Sequence, residues 1–139
     1  MRAYFGRRYM LSASHRLHSE ALSEMRNQAA YGKCNNPYGH GHNYVIEVLA
    51  CGPLNPDTGR VVDMAALDSV VQTRILNRFD HANLNLDPLF ENRVPTTENL
   101  CRAVFELLDG ELPTGKLEHV RVEETENNSF QCFRSQGGR

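Results

Sequence analysis

Residues 34 to 44 read CNNPYGHGHNY, a cysteine, two histidines separated by one glycine, and a tyrosine set among chain breakers. Imidazole is a good zinc ligand, and two histidines two positions apart on a strand point to the same side. Two ligands make a platform rather than a site. A third ligand must come from elsewhere in the chain, or CNNPYGHGHNY is only a polar loop. Cys34, six residues ahead of His40, adds a thiol that could lose a proton near a cation.

The elements that would carry these groups follow from hydrophobic period. Tyr9, Leu11, Ala13, His15 and Leu17 alternate on one face of a first strand. The stretch from Ser19 to Gly41 is largely polar residues and breakers and reads as a long excursion. A second strand, HNYVIEVLACG, places His42, Tyr44, Ile46 and Val48 on one side, with His40 in the same parity. Taken as antiparallel neighbours, the two strands bring His15, at the end of one, to His40 and His42, at the start of the other. Three imidazoles without a fourth protein ligand leave an open position, the mark of a catalytic rather than a structural zinc. The plainer reading of His15 is a hydrogen-bonded core histidine. His18 has the wrong parity and reads as solvated, and His119 as an exposed residue at a strand start.

Downstream, Asp63 is a suitable N-cap for a helix through MAALDSVVQTRILNRF, with Met64, Leu67, Val71 and Ile75 near one face. Thr96 or Thr97 caps a second helix, ENLCRAVFELL, and Gly110 is its stop. LEHVRVEETENNSFQCFR gives two strands joined at ENN. The expected order is β-β-α-α-β-β, an α+β sandwich with two helices on one face of a four-stranded antiparallel sheet. Such a sheet has two bare edges and is expected to pair with other subunits. Residues 1–134 form the expected single domain, and 135–139 a loose tail.

The bulk numbers set limits. A chain of 139 residues, 40% hydrophobic and 23% charged, suits one soluble globular domain. A formal net charge of −2 argues against nucleic acid as partner, which usually meets a basic face. With no membrane-length apolar run and no signal-peptide pattern, the expected compartment is the cytoplasm. Cys51, Cys101 and Cys132 read as free thiols in packed or loop positions.

The motifs SASHRL, KCNNPYGHGHNY, DHANLN, PTTENL and VEETENN occur together and in this order. In this set the chain resembles the 6-pyruvoyl-tetrahydropterin synthase family, from about Phe5 to Phe133. The resemblance implies a tunnelling-fold (T-fold) subunit, trimers closing into a barrel, and two trimers stacked as a homohexamer with active sites at subunit interfaces. It assigns His15, His40 and His42 to Zn(2+), Cys34 to proton abstraction, and Asp80 and His81 to a pair that works with the cysteine from a neighbouring subunit. It assigns Glu124 to the pterin ring. Parity supports Glu124 over Glu123, because Val120, Val122 and Glu124 share the apolar side. Thr97, with Thr96, would help hold the pterin or serve only as the helix cap, and Glu98 would support them. The implied substrate is 7,8-dihydroneopterin triphosphate, with Arg16 and Lys33 as candidates to hold its phosphates. The related 6-carboxy-tetrahydropterin synthases of queuosine biosynthesis take the same substrate and release acetaldehyde. The five residues between Cys34 and His40 favour the pyruvoyl-forming branch. A third reading is a non-catalytic metal-binding scaffold on the same fold.

Overall fold

Two long strands organise the chain, whose computed structural model describes residues 2–136. β1 (Ala3–His15) and β2 (His40–Gly52) pair antiparallel along their whole length, from Ala3 opposite Gly52 to His15 opposite His40. The two-residue period puts Leu11, Ala13 and His15 of β1, and Tyr44, Ile46, Val48 and Ala50 of β2, on one buried face. β2 also pairs with β4 (Lys116–Glu123), and β4 with β5 (Ser129–Phe133), both antiparallel.

Helices cover the buried face. Asp63 caps α2 (Met64–Val71) by accepting from the Ala66 N–H at 3.1 Å. The helix runs on through a π-helical stretch, Gln72–Leu76, into α3 (Asn77–Phe79). Leu67, Val71, Ile75 and Phe79 are all 0% exposed. Steps of four residues drift about 40° each on a regular α-helix; the wider π turn cancels part of that drift and keeps all four on the core. α4 (Thr97–Leu108) buries Leu100, Cys101, Val104 and Leu108 against β4 and β5. Each large apolar side chain so buried contributes roughly 1.5–3 kcal/mol. Gly110 follows α4 with φ 78°, the left-handed turn that ends helices without a Cβ penalty.

Two elements add to the expected plan. The excursion before β2 contains α1 (Glu24–Tyr31), capped by the Ser23 hydroxyl and ended by Gly32. Only Asn27 of α1 is buried, so no apolar stripe betrayed it. A two-residue strand β3 (Ala82–Asn83) lies parallel to β1, which makes the sheet order β3-β1-β2-β4-β5. The α+β class and the four antiparallel strands stand as expected. The second face of the sheet carries Tyr4, Met10 and Phe133, each more than half exposed. β5 and most of β1 keep bare outer edges among the described residues.

Of the expected tail 135–139, residues 137–139 lie outside the described ones. His119 is corrected: it is 6% exposed in the middle of β4, not an exposed strand start. It lies opposite Leu49, the last pair before a register shift at Leu49/Ala50, and there it bonds Gln131 at 2.9 Å and stacks on Phe133 at 4.2 Å. Among the described residues, no helix is long and apolar enough to cross a membrane.

Candidate metal and substrate site

The β1–β2 register places His15 directly across from His40, and Ala13 across from His42. Gly39, at φ 72°, lets the incoming loop lie against β1, since a Cβ there would come 2.9 Å from the His15 carbonyl oxygen. The three rings stand nearly perpendicular to one another, with centroids 4.7 to 5.0 Å apart. One ring nitrogen from each lies within 4.8 Å of the others, and His15 Nε2 is 3.2 Å from His40 Nε2. Two nitrogens on a tetrahedral zinc stand about 3.3 Å apart.

The chemistry of the donors fits a metal. His15 Nδ1 lies 2.8 Å from the Pro95 carbonyl, which can only accept, so Nδ1 carries the proton and Nε2 presents its lone pair. The Tyr44 hydroxyl oxygen lies 3.2 Å from the same Nδ1 and can share its proton as a second acceptor. His42 Nε2 is buried without a hydrogen-bond partner; its nearest acidic neighbour, Glu124 Oε1, is at 3.5 Å, beyond hydrogen-bond range. A buried ring nitrogen free of hydrogen bonds fits a metal ligand. Burial holds the His15 imidazole below its ordinary pKa, and His42 and His40 push the same way against the Pro95 carbonyl. Burial also lowers His42, against the pull of Glu124.

These shifts carry a pH prediction. The folded imidazoles bind protons less readily than unfolded ones of pKa 6.5, so unfolding takes up protons and stability falls as pH drops below that value. In metal-free protein the urea midpoint is expected to fall between pH 7 and 5, more steeply than in a His42→Leu variant. Parallel pH profiles for the two proteins would contradict the assignment.

Cys34 sits half-buried in a 3₁₀ turn, Gly32–Asn35, whose Cys34 carbonyl accepts from the Leu17 N–H at 2.8 Å. Burial raises the Cys34 thiol and the Glu124 carboxylate raises it further. Ionising this thiol therefore needs positive charge brought near it. Glu124 follows the end of β4. Its side chain is 15% exposed, and its Oε2 accepts from the Thr97 hydroxyl. Glu123 instead pairs with Arg121 at 3.4 Å.

The two threonines separate. Thr96 is the N-cap, its hydroxyl accepting from the Asn99 N–H at 3.2 Å, whereas the buried Thr97 turns to Glu124. Thr96→Ala is expected to lower stability by about 1 kcal/mol in urea unfolding without loss of bound metal; an unchanged midpoint would remove the cap. Glu98 is exposed in the first turn of α4, where its charge suits the helix dipole.

Asp80 and His81 hang on β1 beside this cluster, and His81 shares with His42 and Asn43 the lining of a cleft of about 510 Å³. Asp80 Oδ1 accepts from the Ser12 N–H at 2.8 Å, and the His81 N–H donates to the Ser12 carbonyl at 2.5 Å. His81 is held at φ 58°, a strained conformation for a non-glycine residue. Its imidazole is 82% exposed, with Nε2 3.6 Å from Asp80 Oδ2. Among the described residues, no hydrogen bond or ion pair joins either to Cys34 or to the three histidines. His18, expected to be solvated, is half-buried, with its Nδ1 3.0 Å from Asn35 Nδ2. Arg16 turns its Nε to the Asn35 carbonyl at 3.2 Å, and Lys33 is exposed. A cleft of about 820 Å³ at the far end of β2, lined by Leu54, Val61 and Thr114 among others, holds none of these groups. Sequence reading missed Tyr44, Pro95 and Asn35 as supports; only the parity of Tyr44 with the histidines signalled one of them.

The sequence matches the family model of 6-pyruvoyl tetrahydropterin synthase over residues 5–135. It is 45% identical to a human 6-pyruvoyl tetrahydrobiopterin synthase over 127 residues, 91% of this chain and 88% of the relative. It is 32% identical over 110 residues to a putative 6-carboxy-5,6,7,8-tetrahydropterin synthase of Archaeoglobus fulgidus, 78% of this chain and 86% of that one. The Caenorhabditis elegans 6-pyruvoyl tetrahydropterin synthase structure superposes with a TM-score of 0.92 at 39% identity, covering 97% of each chain.

Proposed function

The chain belongs to the 6-pyruvoyl tetrahydropterin synthase family, and on that premise we propose that it is a lyase that eliminates triphosphate from 7,8-dihydroneopterin triphosphate, with an internal redox change, to form 6-pyruvoyl-tetrahydropterin. The observation that carries this reading is the three-imidazole cluster with the Glu124 carboxylate beside it.

His15, His40 and His42 would hold Zn(2+). When bound, the ion supplies a Lewis acid that polarises the substrate's side-chain hydroxyls and the bonds beside them. The other steps belong to the chain. Glu124 accepts the pterin 2-amino and N3–H donors, and the Thr97 hydroxyl fixes the carboxylate that receives them. Cys34 takes and returns the protons moved between the side chain and the ring. Asp80 and His81 serve a neighbouring subunit's site, a reading supported by the exposed His81 imidazole. Arg16 and Lys33 receive the triphosphate. The bare edges of β1 and β5 support trimers closed edge to edge, and two trimers form the proposed homohexamer. The proposed place of action is the cytoplasm.

The relationship to a putative carboxy-pterin synthase keeps one second reading in play, cleavage of the side chain with release of acetaldehyde. Product analysis decides between them. Zinc-loaded protein is given 7,8-dihydroneopterin triphosphate, with mass spectrometry of the pterin and a separate assay for acetaldehyde. A 6-pyruvoyl pterin without acetaldehyde is expected. A 6-carboxy pterin with stoichiometric acetaldehyde would move the chain to the queuosine branch, and no turnover by metal-loaded protein would favour a binding scaffold.

A further inference from the structure

The turn that carries Cys34 is only four residues long, Gly32–Asn35, too short to hold its own geometry. What fixes it is the chain just past β1. The Leu17 N–H donates to the Cys34 carbonyl at 2.8 Å, and the Leu17 carbonyl accepts from Asn35 Nδ2 at 2.7 Å. Leu17 is thus gripped at both its backbone polar groups, one by Cys34 and one by the side chain that follows it. The second Nδ2 hydrogen faces His18 Nδ1 at 3.0 Å. Asn35 Oδ1 accepts from Gln28 Nε2 of α1 at 3.3 Å, and its carbonyl accepts from Arg16 Nε at 3.2 Å. Asn35 is 4% exposed, so each lost partner there leaves a polar group away from water.

Leu17 lies two residues beyond His15, and Cys34 is bonded to Leu17. The clamp therefore sets the distance between thiol and imidazole cluster through one short, rigid path. We propose that Asn35 is a positioning residue, whose side-chain amide holds the Cys34 thiol in register with the histidine cluster. Asparagine suits the role because it offers two donors and an acceptor from one planar group. Aspartate has the same shape but no donor, and would set a carboxylate oxygen against the Leu17 carbonyl. This inference rests on the catalytic role given to Cys34.

Asn35→Asp is the principal test, made in the full-length metal-loaded protein, with two readouts. The first is the rate at which iodoacetamide labels Cys34, followed by peptide mass spectrometry with half-buried Cys132 as internal reference. Release of the turn is expected to speed Cys34 labelling at least fivefold while Cys132 is unchanged. The second is the split between kcat and KM. A thiol displaced by about 1 Å lowers kcat on the order of 10²-fold, with KM and bound metal within twofold of the parent. Gln28→Ala, which removes only the support on Asn35 Oδ1 from an exposed helix position, is expected to move both readouts the same way by less, and keeps the test valid if the aspartate variant folds poorly. Faster labelling with unchanged kcat, lower kcat with unchanged labelling, or no change in either would each overturn the proposal. Absence of turnover in the parent protein would count against the proposed function alone, because the labelling comparison still reads the clamp.

Discussion

With His42 replaced by leucine, the metal-free protein is expected to gain stability while losing its hold on metal. The two effects have one source. His42 Nε2 is buried and has no hydrogen-bond partner, and an unsatisfied buried polar atom costs about 1–3 kcal/mol. Leucine fills a similar reach from the same strand position with nothing to satisfy. The side chain is 16% exposed, so the gain is placed at the low end, about 1 kcal/mol. Glu124 keeps its bond from Thr97 and so is not stranded by the change. Metal binding moves the other way, because two imidazoles remain where three converged within 4.8 Å. Urea unfolding in chelator gives the first quantity, and metal analysis after dialysis the second: a higher midpoint with trace metal. A lower midpoint in chelator would mean that His42 is packed for stability, and near-stoichiometric metal would mean that it is not a ligand. Opposite signs for stability and binding are what a site kept for function predicts.

That site was readable in the sequence to the extent that strand geometry carries it. His15, His40 and His42 share parity, and an antiparallel register brings the end of one strand to the start of the next, as the pairing of His15 with His40 bears out. Parity also separates Glu124 from Glu123, and Asp63 was readable as a cap because its chemistry is local. What depended on non-local contacts was not readable. α1 buries only an asparagine, so hydrophobic period could not find it. β3 exists because Asp80 and His81 hook onto Ser12, a tie that no propensity reports. The burial of His119 follows from its cross-strand neighbours Gln131 and Phe133 on β5, invisible in β4 alone. Thr96 and Thr97 are equivalent as cap candidates until one hydroxyl is seen on Asn99 and the other on Glu124. The partnership of Asp80 and His81 with Cys34 rests on resemblance alone, and in the single chain Asp80 is turned to the Ser12 N–H while the His81 imidazole faces outward.

Glu124→Gln is expected to raise KM on the order of 10²- to 10³-fold while leaving kcat and bound metal much less affected. The carboxylate is fixed by the Thr97 hydroxyl, so it is oriented before any ligand arrives. A pterin ring offers it two adjacent donors, and hydrogen bonds to a charged acceptor are worth about 1.5–3 kcal/mol each. Glutamine keeps one acceptor but turns its amide N–H₂ towards the other donor, so one bond becomes a donor–donor contact and the second loses its charge. A loss of about 3–4 kcal/mol in substrate binding corresponds to the stated change in KM. Thr97 can still donate to the glutamine carbonyl, and the three imidazoles are untouched, so metal content is the control that separates ring anchoring from damage to the cluster. Glu123→Gln is the matching control on the other side of the strand: Glu123 pairs with Arg121, and its loss is expected to leave KM within twofold. Equal effects from the two variants would mean that strand parity does not select the pterin anchor, and metal loss in Glu124→Gln would make Glu124 part of the metal site instead.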